Sequence, residues 1–551
     1  MHIKAKLILL VILVLALFLR FYRVTEVPPS LNWDEVSIGY NAYSIMKTGK
    51  DEWGVPFPLH FKAYGEYKLP VQIYFSIPGI YFFGLNDFGV RVLPIVYGTL
   101  TVLLLYLLCK EWFDSRLIGL AAAFLLAISP WHIQLTRASF ESSFSIFWIL
   151  LGIWFLIKGF KKHIWWIVAM VPLAVSVYTY NSARVFTPLF LFTVLVLYHK
   201  VFLRSKKIVA LAIITFFILM LPLVPFFISP DRNSRYKLVS ITDDAGLIPR
   251  IEENRNLSTL PQPLPRIIHN RISYVSYYLI EHYLAHFSLN FLFVNGAPHK
   301  QHHVQGIGEL YLFQLPLVLL GLWWLVKKPN RYKGLLISWL LLAFVPVSIT
   351  NDSIPHALRT IIANPAYQIL SALGFYWLVQ RLRSKGQGQA LIVLGVLSTI
   401  IVLVSLYFYL DNLFNNYPKK YSYDWQYGNH QVVDYISENY SKYDQIIYTR
   451  HYGEPQMFTL FYLKYNPADF YNNEKLDRFE THDWVRVLHF DNFSFPDLGD
   501  IGTRYEDIIN KYPTQKLLFI GQPGDFKNTH IIKTINFLDG KGAFEIVEHL
   551  P

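Results

Sequence analysis

The chain has 551 residues, of which 53% are hydrophobic, 17% aromatic and only 16% charged. That composition excludes an ordinary soluble multidomain protein and points to a polytopic α-helical membrane protein. The formal charge of +12 does not imply a nucleic-acid partner, because Lys and Arg fall in short clusters between apolar runs and make no single basic face.

The N-terminal "MHIKAKLILLVILVLALFLRFYR" has a basic start and no small-residue cleavage site, so it is read as a retained transmembrane helix. Runs of about 17–25 apolar residues can cross a hydrocarbon core. Eleven are found, near 6–22, 88–109, 116–132, 142–159, 164–180, 184–199, 208–229, 308–326, 334–350, 357–379 and 389–410. A twelfth stretch, 71–83, has thirteen residues and contains Pro78 and Gly79. With it excluded, the clusters at Lys4/Lys6, Lys110/Arg116, Lys158/Lys161/Lys162, Lys200/Arg204/Lys206/Lys207, Lys327/Lys328/Arg331/Lys333 and Arg381/Arg383/Lys385 all fall on one side, as the positive-inside rule requires. Segment 71–83 is therefore expected to be a juxtamembrane helix. The same parity predicts a multi-pass plasma-membrane protein with a cytoplasmic N-terminus. It places residues 23–87, 130–141, 181–183, 230–307, 351–356 and 411–551 outside. The cytoplasmic connections carry no Walker or GxGxxG pattern, which argues against a soluble nucleotide substrate. The single cysteine, Cys109, sits in an apolar run and reads as a buried small hydrophobe.

The first outer loop, 23–87, contains "LNWDEVSIGYNAYSI", with Asp34 and Glu35 adjacent among apolar neighbours. Repulsion disfavours full ionisation of both, so one carboxylate can serve as a base and the other can tune it. Alternatively, Asp34 caps the amphipathic stretch that follows. In "SPWHIQLTRASFESS", Arg137 and Glu141 are four apart and would share a helical face. They then make a surface pair, or Glu141, opening the next span, points at a polar cavity. The large outer loop, 230–307, carries "EHYLAHF" and "HKQHH". His282 and His286, with His299, His302 or His303, are candidate zinc ligands, although no Cys pair or HExxH motif supports them. After the last span, residues 411–551 have ordinary charge content. Amphipathic stretches at 431–440 and 504–512 alternate there with β-rich runs at Gln445–Thr449, Val485–Phe490 and Lys516–Ile520, which predicts an extracytoplasmic α/β domain. The "IGQPG" at 520–524 reads as a turn.

The order of "WDE", "YGEYKLP" (64–70), "FGVRVLP" (88–94), "SPWHIQLTRASFE" (129–141) and "HALRTIIANPAYQILSALG" (356–374) resembles bacterial members of the protein O-mannosyltransferase and aminoarabinose transferase group, GT-C glycosyltransferases of the family 39/83 type. The resemblance covers about residues 1–410 and implies a GT-C transmembrane catalytic module with juxtamembrane helices in its first outer loop. It implies inverting transfer of a sugar from a polyprenyl-phosphate carrier to an acceptor hydroxyl at the outer face. The family's essential carboxylate falls on Asp34, beside Glu35, and its second acidic position on Glu141. The leaving phosphate needs cations, for which Lys68, Arg137 and Arg359 are the outward candidates, with His356 as a companion. Each has a plainer reading: Lys68 and Arg359 snorkel at the interface, and Arg137 neutralises Glu141. Some relatives hold a divalent metal and others do not. The polar stretch 296–316 is also familiar from this class and is a candidate lid.

Protein, envelope lipid and growing glycan all remain open as acceptor, a mannosyl group is one candidate sugar, and the C-terminal domain either recognises the acceptor or packs structurally. Two rivals stand beside the enzyme: a polytopic transporter, disfavoured because the carboxylates flank spans and the halves do not resemble each other, and a non-catalytic membrane protein that binds lipid-linked glycans.

Overall fold

The computed structural model describes residues 2–229, 239–327, 333–481, 484–499, 502–527 and 529–551. Lys328, Arg331 and the start of the large outer loop, 230–238, lie outside the described residues. The chain forms two compact units. One comprises Met1–Tyr22, Ile95–Thr136 and Phe140–Leu410; the other comprises Arg23–Pro94, Arg137–Ser139 and Asp411–Pro551. The composition shift near residue 411 marks one edge of the second unit. Its inclusion of the first outer loop leaves no trace in composition.

The helical unit begins with α1 (His2–Phe21) and contains most of α4 (Asp87–Phe113), then α5 (Arg116–Ala127), α6 (Pro130–Leu135), α7 (Glu141–Gly159), α8 (Trp165–Val177) and α9 (Asn181–Leu197). Among the described residues, four helices are long and apolar enough to cross a membrane: Asp87–Phe113, Glu141–Gly159, His199–Ile228 and Gly388–Lys420. The run at 6–22 falls on the twenty-residue α1 and the others fall on shorter or interrupted helices, with proline setting several of the breaks. The run at 116–132 ends at Ala127; a new helix starts at Pro130 with Ser129 as its cap. The run at 357–379 is Ala357–Thr360, a short 3₁₀ turn, and then Asn364–Ser384 with Pro365 in its first turn.

Buried amides link these helices. Gln314 Nε2 donates to Gln368 Oε1 (2.7 Å) and Ser371 Oγ (3.2 Å). Gln368 Nε2 donates to Asn364 Oδ1 (2.7 Å), and Asn364 Nδ2 to Ser129 Oγ (3.1 Å). Hydrogen bonds of this kind join helices where lipid gives no hydrophobic drive. Helices Gln314–Lys327 and Asn364–Ser384 approach closely because Gly321 and Gly374 carry no side chain. A Cβ on Gly374 would lie 3.0 Å from Leu317 Cα and nearer still to its carbonyl oxygen.

In the second unit, α2 (Trp33–Thr48) leads to a hairpin of β1 (Phe61–Ala63) and β2 (Glu66–Lys68), then α3 (Pro70–Phe83) and the first turns of α4. The segment at 71–83 is thus a fourteen-residue helix with Pro78 inside it. Residues 445–551 supply a seven-stranded mixed sheet, ordered β4-β5-β6-β3-β7-β9-β8. Its strands are β3 (Gln445–Tyr448), β4 (Asp477–Glu480), β5 (Val485–Phe490), β6 (Phe493–Ser494), β7 (Leu517–Gly521), β8 (Lys533–Asn536) and β9 (Gly542–His549). The three β-rich runs become β3, β5 and β7, and the amphipathic stretches become helices Asn429–Asn439 and Tyr505–Lys511. One core joins Leu31, Val36, Ile38 and Tyr40 of the first outer loop to Val432, Phe458, Phe461 and Ile546 of the C-terminal segment.

Replacing Gly374 with Val forces the two helices apart. It is expected to destabilise the detergent-solubilised protein by about 1–3 kcal/mol, read as a lowered thermal midpoint.

Candidate active site

The cap of α2 is Asn32, not Asp34. Its side chain accepts from Glu35 N (2.9 Å), while the Glu35 carboxylate accepts from Asn32 N (3.3 Å), a capping box. Successive helical residues point about 100° apart, so the two carboxylates diverge. Glu35 turns inward and is fully buried against Arg91: Nε donates to Oε1 (3.0 Å) and Nη2 to Oε2 (2.9 Å). Its Oε1 also accepts from Ser139 N (3.0 Å). Arg91 spends its other donors on the carbonyl oxygens of Val24 (2.8 Å), Pro28 (2.9 Å) and Ser30 (2.5 Å). Asp34 turns outward, its side chain 36% exposed, and its Oδ1 accepts from Lys68 Nζ. Each carboxylate thus has its own cation.

The hairpin places Lys68, pairing it with Phe61 across the two strands. Its ammonium is nearly inaccessible, with the side chain 3% exposed, and lies 5.7 Å from the centre of the Tyr64 ring. Tyr64, Trp33 and Trp484 form an aromatic cluster with centroids 6.0–6.2 Å apart. Tyr64 Oη donates to Trp33 O (2.8 Å), and Trp33 N donates to Gln426 Oε1 (2.8 Å). Trp484 Nε1 donates to Glu454 Oε1 (2.7 Å); burial raises the pKa of Glu454 despite this bond. The C-terminal segment therefore contributes to the surroundings of Asp34.

Residues 136–139 form a turn and Phe140 is extended, so no helix carries Arg137 and Glu141 on one face. Pro130 starts a helix only six residues long, which ends before Arg137. Arg137 is fully buried. Its Nε and Nη2 donate to Val27 O (3.1 and 2.6 Å), and Nη2 also to Arg23 O (3.2 Å).

In the helical unit, Glu141 is the first residue of α7 and is partly exposed. Arg359 donates from Nη2 to Asp352 Oδ2 (2.6 Å) and from Nη1 to Thr350 Oγ1 (2.9 Å). The Asp352 side chain is 48% exposed, so this buried guanidinium has an open partner. His356 caps the helix that holds Arg359, its Nδ1 accepting from Arg359 N (3.3 Å). The His299 and His302 rings stack 3.7 Å apart, and His302 lies 5.1 Å from His356.

The candidate metal ligands do not converge. His286 bonds His282 O through Nδ1 (2.6 Å) and accepts from His356 N at Nε2 (3.0 Å), so both ring nitrogens are engaged. Burial lowers its pKa to about 4 and holds that of His356 well below the ordinary value. His303 engages Glu309 Oε1 (3.0 Å) and Ile307 O (2.6 Å). Among the described residues, no three His, Cys, Asp or Glu side chains are grouped to hold a metal ion.

Residues 10–233 match the family model of the dolichyl-phosphate-mannose-protein mannosyltransferases. No curated protein matches the chain in sequence. Among solved structures, apo ArnT from Cupriavidus metallidurans superposes with a TM-score of 0.53 at 12% identity, over 99% of this chain and 97% of that one. The chain has the GT-C fold. ArnT bound to undecaprenyl phosphate gives a TM-score of 0.50 at 13% identity, again over 99% and 97% of the two chains. The archaeal oligosaccharyltransferase AglB from Archaeoglobus fulgidus, in complex with an inhibitory peptide and a dolichol-phosphate, gives 0.51 at 14% identity over 79% of this chain. The match spans 59% of AglB's length.

The sequence alone points to no role for Arg91, Trp484, Gln426 or Glu454. The signal for Arg91 was present, because an arginine inside an apolar run needs a buried partner. The other three lie far along the chain, and nothing local marks them.

Glu52 follows α2 and is buried; its pKa rises to about 7, mainly through desolvation, against the opposing pull of Arg478. A carboxyl that holds its proton more tightly when folded contributes fully below its unfolded pKa of about 4.5 and loses that contribution as pH climbs toward about 7. Glu52→Gln is therefore expected to flatten the fall in thermal midpoint between pH 5 and 7. A second expectation concerns Glu35. Glu35→Gln removes the carboxylate bonded to the buried Arg91 and should cost about 3–5 kcal/mol in thermal unfolding. Asp34→Asn keeps an oxygen for Lys68 and should cost less.

Proposed function

We propose that the protein transfers a sugar from a polyprenyl-phosphate carrier to an acceptor hydroxyl at the extracytoplasmic face, with inversion, and that Asp34 is the general base. The observation that carries this reading is the division of labour at residues 34 and 35. Glu35 is consumed by Arg91, whereas Asp34 stays partly exposed with Lys68 holding one of its oxygens. The fold and the family match over residues 10–233 support the reaction class. ArnT is bound to undecaprenyl phosphate in one of the matched structures, and AglB to a dolichol-phosphate in another.

As the acceptor oxygen attacks the anomeric carbon, its proton passes to Asp34, the bond from that carbon to the phosphate oxygen breaks, and the carrier phosphate departs. A positioned carboxylate contributes about 10²–10⁴ in rate to such a step. Lys68 serves here as a positioning residue for Asp34. Within the helical unit we assign Arg359 as a phosphate-binding residue, since its exposed partner Asp352 can yield to an arriving anion, with His356 fixing the turn that holds it. Arg137, bonded to the Val27 and Arg23 carbonyls, acts in this scheme by anchoring the entry to the first loop. Glu141 is retained as a second acidic group, and no metal is required by the steps described.

Loss of the gene in the native host should accumulate a polyprenyl-phosphate-sugar in envelope extracts, detected by mass spectrometry. Complementation with Asp34→Asn should leave turnover about 10²–10⁴-fold slower at unchanged expression and elution; normal turnover would remove Asp34 from catalysis.

A further inference from the structure

The helical unit contains an apolar groove of about 230 Å³. Leu191 and Phe192 of α9, Met170 of α8, and Ala212, Phe216 and Phe217 of helix Lys206–Met220 form its walls. Phe192 and Phe217 are largely exposed at its rim, beside the exposed apolar side chains of Val196, Ile213, Ile214 and Ile218, so the rim suits hydrocarbon.

One end of the groove is closed by Trp166 and Phe202, whose rings meet at 4.8 Å. The His163 ring stacks on Trp166 at 4.6 Å, and His163 Nδ1 bonds Ser205 Oγ at 2.7 Å. These contacts lock segment 158–163, which closes α7 and leads to α8, to segment 198–207, which is helical from His199. Both segments are strongly basic and contain no Asp or Glu. Lys161 pairs with Glu111. Lys162, Lys200, Arg204, Lys206 and Lys207 are exposed, and among the described residues no carboxylate pairs with them. An apolar groove thus ends under a cluster of cations.

We propose that this groove holds part of one acyl chain of an anionic phospholipid, with its phosphate gripped by the cluster around Lys200, Arg204 and Lys206. The tail alone gives little selectivity, since lipid chains are as apolar as leucine. The charged headgroup supplies it, as basic pockets between membrane helices do for acidic lipids. A zwitterionic lipid lacks the net charge to satisfy the cluster. This inference is independent of the transfer reaction.

The test is native mass spectrometry of the full chain, released from detergent with equimolar phosphatidylglycerol and phosphatidylcholine of identical chains. The parent protein is expected to retain phosphatidylglycerol at least tenfold over phosphatidylcholine. The triple variant Lys200→Gln/Arg204→Gln/Lys206→Gln should bring the two to parity. Ala212→Trp, which fills the groove, should remove the retained lipid; Leu191→Trp fills it from another helix and serves if either of the other variants fails to elute as the parent does. Equal retention of both lipids by the parent, an unchanged preference in the triple variant, undiminished retention in both groove-filled variants, or displacement by equimolar undecaprenyl phosphate would each overturn the proposal.

Discussion

The buried pair of Glu35 and Arg91 is the constraint on which the presentation of Asp34 depends. A guanidinium enclosed this completely needs an acceptor for nearly every donor. Here two come from one carboxylate and three from the carbonyl oxygens of Val24, Pro28 and Ser30. The chain leaving α1 is thereby tied to α4 before it enters α2. Because Glu35 also closes the capping box with Asn32, the start and the rotational phase of α2 are set together. Once that phase is set, residue 34 has only one direction to face. The worth of such a pair lies less in net stability than in specifying one arrangement.

The groups of chemical interest then sort by environment more than by type. Four candidates, Glu35, Arg137, His286 and His303, are buried and bonded to partners within their own units. Asp34 and Arg359 differ because each belongs to a pair with a partly exposed member. A charge that can exchange its partner without a large desolvation penalty is better suited to meeting substrate than one sealed in a completed network.

Much of the helical unit was legible because apolar run length is a strong local signal, and each of the eleven runs falls on one or more helices. The breaks within them were not, since proline and serine caps act on a scale of two or three residues that a hydropathy average smooths over. For the candidate site, the WDE motif marks a pair of carboxylates, and two adjacent carboxylates look equivalent on paper. Only the helix start at Asn32 decides which one turns inward. A shared helical face for Arg137 and Glu141 presumed a helix that the turn at 136–139 interrupts. The histidine spacing suggested a metal, but spacing carries no information about which nitrogens backbone groups have already claimed. Least legible of all was the neighbourhood of Asp34: Trp33 is bonded to Gln426, 393 residues later in the chain.

That separation bears on how the protein is made. The apolar residues of segment 23–87, the loop that carries α2, share their core with strands and helices that emerge from the ribosome long after them. Until then, Leu31, Val36, Ile38 and Tyr40 lack the surface they bury against, and a nascent chain must keep that loop exposed through the insertion of every intervening helix. Long-range closures of this kind are slow and leave sticky intermediates. A truncation near the C-terminus would accordingly be felt first at the opposite end of the polypeptide, as an early loop left vulnerable to proteases.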